Sequence, residues 1–222
     1  PDLGVDVAAL TGAATTARPG IGRVHRDGST ASCAATLVAP QVILTGEGCI
    51  GSRTSATPLS GATFHFIDAS GVRRLLRVTE VNGFRHLAFG RLEAEIPSSQ
   101  AAPIPFAITT PRPGNQVSAF GWLNADVTQK RVQTFSDDGV ELTSPITFEA
   151  NDSGAAHVWG SASAGGDLWG VAVRTATPFA KSTTHYQRHL EGLIEAMASP
   201  HVYGWDRPGM DYRSITNSVF AI

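Results

Sequence analysis

The sequence predicts an all-β protein, and three observations carry the prediction. Short apolar or alternating runs recur about every ten residues; glycine and proline, 23 and 13 of 222 residues, punctuate them; and no strand–helix–strand alternation points to a parallel sheet. In order, the runs are IGRVHRDGS (21–29), AATLVAPQVILTG (34–46), ATFHFID (62–68), RRLLRVTEV (73–81), LAFGRL (87–92), QVSAFGWL (116–123), HVWG (157–160) and LWGVAV (168–173). Each is bounded by turn residues, the pattern of a sandwich or barrel. Residues 183–199 depart from it: Leu190, Leu193, Ile194 and Met197 recur at helical spacing, Thr183 or Thr184 caps the start and Pro200 closes the end. The tail, 200–222, holds Tyr203, Trp205, Tyr212 and Phe220, and is expected to dock on the body.

Composition narrows the function classes. A charged fraction of 16%, below the roughly 25% of an average soluble protein, fits a compact chain and disfavours disorder. The net charge of −2 offers no overall basic surplus for nucleic acid or an anionic membrane, so nucleic-acid binding is not expected. No apolar run approaches the length of a membrane span. No charged region followed by an apolar one opens the chain and Pro1 is not an initiator, so a mature or trimmed chain is expected.

Cys33 and Cys49 are sixteen positions apart. Two cysteines make a disulfide, two free thiols or half a metal site. Neither belongs to a Cys-x-x-Cys pair and no zinc-type spacing surrounds them, so no metal is expected and the disulfide is the favoured reading. A loop of this size is stabilised by about 3 kcal/mol on closure. A disulfide also implies an oxidising compartment, hence a secreted, periplasmic or extracellular protein.

Five segments in order resemble the trypsin/chymotrypsin-like serine proteases. SCAATLVAPQVILTGEGC (32–49) is similar to that family's Cys-Gly-Gly-Ser-Leu-Ile-x-x-x-x-Val-Leu-Thr-Ala-Ala-His-Cys stretch, and RHLAFGRL (85–92) to its Asp-Ile-Ala-Leu-Leu-Arg-Leu strand. APIPFAITTPRPGNQVSAFGWL (102–123) resembles Pro-Ile-x-Leu … Pro-Gly-x-x-Val-x-x-x-Gly-Trp, NDSGAAHV (151–158) resembles Gly-Asp-Ser-Gly-Gly-Pro-Leu-Val, and LWGVAV with the helix 185–198 follows in place. The likeness covers about residues 17–198. It implies two six-stranded antiparallel β-barrels with a site between them and a C-terminal helix. The N-terminal barrel would span about 17–107 and the C-terminal barrel about 108–182, with the helix at 183–199 and the extension at 200–222.

Carried across residue by residue, the resemblance places the family's catalytic histidine at Gly48, its aspartate at His86 and its serine at Ser153, and its oxyanion-hole glycine at Asn151. A serine hydroxyl is a weak nucleophile unless a neighbouring base takes its proton, and the carboxylate orients that base. With Gly48 and His86 the expected protein keeps the nucleophile position without its base. Glu47 borders the vacant position, but on a strand end its side chain is expected to face away. His86 is read as a filler bonded to backbone; the alternative is a rebuilt Ser153–His86 dyad, direct or through one water. Asn151 tolerates a left-handed backbone but puts a side chain where a substrate carbonyl belongs. Thr147 and Phe148, at the expected floor of the specificity pocket, supply no acid to select Lys or Arg. Asp152 lacks a released N-terminus as partner, since VDVAAL (5–10) does not resemble an activation peptide, and is expected to be a buried hydrogen-bond acceptor.

His185 and His189 are i, i+4 on the expected helix, yet no third ligand is placed, so they are read as a solvated face. Trp122, Trp159 and Trp169 fall inside strands and are read as core. The sequence therefore points to a secreted protease homologue without cofactor that binds a protein partner, the alternative being a hydrolase built on Ser153 and His86.

Overall fold

The computed structural model describes residues 10, 12–27, 32–51, 57–84, 86–107, 114–122, 130–136, 152–160, 166–174, 179–182, 192 and 194. Of the expected helix 183–199 only Gly192 and Ile194 are among them, and both are helical. The tail 200–222, Asn151, Thr147, Phe148, His185 and His189 lie outside the described residues.

In chain order the elements are β1 (Ala13–Ala14), β2 (Ile21–Arg26), β3 (Ser32–Ala39), β4 (Val42–Gly46), α1 (Glu47–Ile50), β5 (Thr57–Pro58), β6 (Ala62–Ile67), β7 (Arg73–Phe84) and β8 (Leu87–Leu92), then β9 (Gln116–Trp122), β10 (Lys130–Ser136), β11 (Ala156–Trp159), β12 (Leu168–Arg174) and β13 (Phe179–Ser182). The first sheet has the order β5-β7-β6-β2-β3-β4-β8, and β8 pairs back onto β7. Six strands therefore close into an antiparallel barrel, which removes its unpaired edges, with β5 laid outside β7. The second sheet is also antiparallel, in the order β1-β10-β9-β11-β12-β13.

Burial explains why some strands are apolar throughout. In β4 every residue is buried, because its two faces meet different cores. Ile43 points into the closed barrel with Val24, Leu37, Phe64, Phe66 and Ala88. Val42 and Leu44 point the other way and meet Leu87, Phe89, Phe120, Val158, Leu168 and Val171, a second core shared by the two sheets. The same alternation runs along β8, where Leu87 and Phe89 face the shared core and Ala88 and Leu92 the barrel interior. Trp122 and Trp169 are buried as expected, and Trp159 packs half-buried beside Trp169. The Trp122 indole N–H donates to the Gly22 carbonyl at 2.9 Å, a bond across 100 residues that ties β9 to β2.

Candidate functional site

The site is built where β4 leaves the barrel. At Gly46 the chain is still extended, with φ −75° and ψ 146°, and it then tightens into the single helical turn α1. This corrects the expectation that Glu47 ends a strand. A four-residue turn is too short to show a helical period, so the sequence carries no signal for it. The turn swings Cys49 onto Cys33 of β3, and the two form a disulfide with Cα atoms 5.8 Å apart, well inside the roughly 7 Å limit for such a bond.

Ser153 sits in a turn facing that corner. Its hydroxyl oxygen lies 3.5 Å from the Cys49 sulfur. A disulfide sulfur has no proton, so any hydrogen bond runs from the hydroxyl to sulfur and is weak. A Cβ added to Gly46 would stand 2.7 Å from the same oxygen, which fixes the side chain against the end of β4. Among the described residues no imidazole or carboxylate lies within hydrogen-bond distance of this hydroxyl. At Gly48 an added Cβ would meet nothing within 4 Å, so there is open room for a side chain.

The residues flanking Ser153 are tightly held. Gly154, at φ +84°, donates its N–H to the Ala172 carbonyl at 2.8 Å, and Ala155 donates to the Asp152 carbonyl at 2.8 Å. Asp152 is fully buried, and its Oδ2 accepts the Leu10 backbone N–H at 3.3 Å. The N-terminal segment thus reaches the carboxylate through an amide, agreeing with the expected role of Asp152 as an acceptor. The partner Leu10, 142 residues away, was beyond sequence reasoning.

No hydrogen bond joins His86 to Ser153. His86 has a positive φ of 74°, uncommon for a residue with a side chain. Its carbonyl accepts the Glu47 N–H at 2.8 Å, while its ring, expected to bond to backbone, has Nδ1 3.2 Å from the Glu47 carboxylate. The imidazole is 59% exposed. The ring faces the Glu47 side chain, a pairing that neither residue announces in the sequence. Another histidine, His157, is fully buried on β11 against the Trp169 ring, and burial pushes it down to about 4. Among the described residues no three potential metal ligands cluster together.

The architecture of a closed barrel with a facing six-stranded sheet is shared with solved proteases. The fold is that of the trypsin-like serine proteases. The chain is similar to the scabies mite inactivated protease paralogue S-D1, with a TM-score of 0.63 at 14% identity, over 84% of this chain and 96% of that one. It is similar to kallikrein-related peptidase 10 in its complex with Zn2+, with a TM-score of 0.60 at 14% identity, over 83% and 99%. A third neighbour is the protease Anisep from Arthrobacter nicotinovorans, with a TM-score of 0.54 at 15% identity, over 76% and 92%. No family model and no curated protein sequence matches the chain. The Cys33–Cys49 disulfide that the resemblance implied is formed.

Proposed function

We propose that this trypsin-like protein is a secreted, non-enzymatic protease homologue that binds a protein partner through the surfaces around its Ser153 cleft. One observation carries the reading: the Ser153 hydroxyl has the Cys49 sulfur beside it and, among the described residues, no base in reach. Without a proton acceptor, acyl transfer loses both activation of the nucleophile and protonation of the leaving group. His86, in the position read as the family's carboxylate, is turned onto Glu47 at the surface. That one structural neighbour is by its name an inactivated protease paralogue makes a protein of this kind plausible on this fold. The disulfide fits an oxidising compartment, and among the described residues no helix is long and apolar enough to cross a membrane.

A fluorophosphonate probe tests the reading, because it labels a serine only when a base activates it. The expected result is no labelling of Ser153 and no hydrolysis of an activated ester above the Ser153→Ala background. Turnover that disappears in both Ser153→Ala and His86→Ala would instead establish the rebuilt dyad, since groups acting as a unit fail together. Gly48→His alone is expected to stay inactive, because His86 does not orient an imidazolium as a carboxylate does. Recovery requires Gly48→His with His86→Asp, and Asn151→Gly to clear the oxyanion position.

A further inference from the structure

The outer face of the barrel along β2, β6 and β7 carries positive charge in a chain whose net charge is −2. The strand register aligns Arg23 with His65 and His65 with Leu75, His25 with Thr63 and Thr63 with Arg77, and Ile67 with Arg73. Directly paired residues share a face, so Arg23, His25, His65, Arg73 and Arg77 lie together, Arg23 and His65 buried and Arg73 and Arg77 exposed, and none of these cross-strand rows contains a carboxylate. The rings of His25 and His65 are 6.2 Å apart, and an Arg73 Nη lies 3.5 Å from His65 Nδ1. Burial, with Arg73, His25 and Arg23 nearby, pushes His65 down to about 4, which leaves its ring uncharged at neutral pH and the positive charge on the arginines. Arg74 points differently: its guanidinium is taken up by Asp68 at 2.8 Å. The carboxylate of Glu93 accepts the backbone N–H of Arg77 at 2.9 Å, and no ion pair engages the Arg77 side chain among the described residues.

A second observation falls on the same spot. Among the described residues the large aliphatic side chains left exposed are Leu75, at 52%, and Val72, at 48%. Leu75 stands between Arg73 and Arg77 on β7, and Val72 immediately precedes that strand. Beyond Arg77 the face opens into a cleft of about 420 Å³ lined by Leu59, Thr63, Arg77 and Thr79, with Asp27 also in its wall. An aliphatic side chain framed by two exposed guanidinium groups is complementary to the opposite arrangement: carboxylates on either side of an apolar residue. A uniformly charged polyanion would leave Leu75 and Val72 unmatched.

We propose that this face docks an acidic polypeptide segment that carries an aliphatic side chain between its carboxylates, Leu75 receiving the aliphatic group and Arg73 and Arg77 the carboxylates. The surface does not use Ser153, so it stands or falls separately from the reading of the cleft.

The test titrates the whole protein with a blocked pentapeptide Glu-Glu-Leu-Glu-Glu, following the ring resonances of His25 and His65 by NMR and the affinity by calorimetry. The same titrations are run with Glu-Glu-Ser-Glu-Glu and with a heparin hexasaccharide. The expected result is saturable binding of the leucine peptide, with both histidine rings perturbed and affinity falling as salt shortens the Debye length below about 10 Å. Arg77→Glu weakens it about tenfold or more, Leu75→Ser several-fold, and Ser153→Ala not at all. The wild-type comparison of peptides decides the matter even if a variant folds poorly, and Arg77→Gln, with an unchanged unfolding midpoint, repeats the charge test mildly. No binding at about 1 mM peptide, equal binding of the serine peptide, or a preference for heparin would each overturn the proposal.

Discussion

The turn that presents Ser153 depends on a glycine that no other residue replaces, and the cost of changing it is calculable. At Gly154, φ is +84° and an added Cβ would meet the Ala34 carbonyl oxygen, with the Thr45 hydroxyl at 2.5 Å. The left-handed conformation costs an alanine about 1–2 kcal/mol. Relieving the clash means moving β3 or the turn, since a backbone carbonyl has no rotamer to escape into, at about 1–3 kcal/mol by analogy with overpacked cores. The shift also disturbs the 2.7 Å bond from the Thr45 hydroxyl to that same carbonyl, worth about 1 kcal/mol. Gly154→Ala is therefore expected to lose about 3–6 kcal/mol, a fall in Tm of roughly 10–20 °C for a chain of this length. Gly71→Ala is the control. Its φ is +83°, but an added Cβ there would meet nothing within 4 Å, so it isolates the backbone term of about 1–2 kcal/mol. Urea unfolding of both variants measures the difference. If the two lose the same amount, or Gly154→Ala loses less than about 1 kcal/mol, the close approach of the Ser153 turn to β3 is not as described.

Three further outcomes are expected. Gly46→Ala brings a methyl to 2.7 Å from the Ser153 hydroxyl, which escapes by rotating, so a cost of under about 1 kcal/mol should vanish in the Ser153→Ala background; an equal cost in both backgrounds would place the hydroxyl elsewhere. Thiol titration of the denatured, unreduced protein should find neither Cys33 nor Cys49 reactive, and replacing both by alanine should lower stability by about 3 kcal/mol in equilibrium unfolding. Stability should fall on acidification in two stages. Burial holds His157 and His65 at about 4 against an ordinary 6.5, so the unfolded chain binds the extra protons and stability drops as pH goes from 6.5 to 4. Asp68, held well below the usual carboxylate range chiefly by the Ser70 hydroxyl and also by Arg74, adds a loss as pH falls below about 4. His157→Phe should flatten the upper stage, and a pH-independent midpoint between 4 and 6.5 would refute the assignment.

The parts of the fold that were legible in the sequence are those where one residue type answers to one environment. The strands at 42–46 and 87–92 read as apolar runs because both faces of each are buried, one in the barrel and one at the seam. By contrast β10, KRVQTFS, shows little alternation, and its place comes from seven register pairs with β9 that no local pattern encodes. The short β1, β5 and β13 have two to four residues each, too few for a period to show. Arg23 is the sharpest exception: it is 1% exposed on a strand whose alternation alone would leave its face in solvent. At the site, the disulfide was legible from the two cysteines and their separation. The pairing of His86 with Glu47 and of Asp152 with Leu10 was not, because each joins segments far apart in the chain through contacts neither segment announces.

This separation bears on what the surviving serine means. The residues around Ser153 have structural duties that do not require chemistry. Asp152 anchors the N-terminal segment through the Leu10 amide, Gly154 permits the turn to lie against β3, and its N–H joins β12 through Ala172. Any sequence that keeps the two sheets joined in this way keeps the turn, and position 153 is then a small, half-buried slot against Gly46 and the disulfide, where a serine fits. Gly48 and His86, read from the sequence resemblance as the positions of the family's histidine and aspartate, have no such duty: Gly48 borders open space, and His86 bonds through its backbone, which any residue supplies, and through an exposed ring. On the function proposed above, change at positions without a structural role, beside retention at a position embedded in one, is the pattern expected when a fold is kept for its surfaces and not for its reaction. Ser153 on its own is thus weak evidence of catalysis, and the decisive question is what stands within hydrogen-bond reach of its hydroxyl.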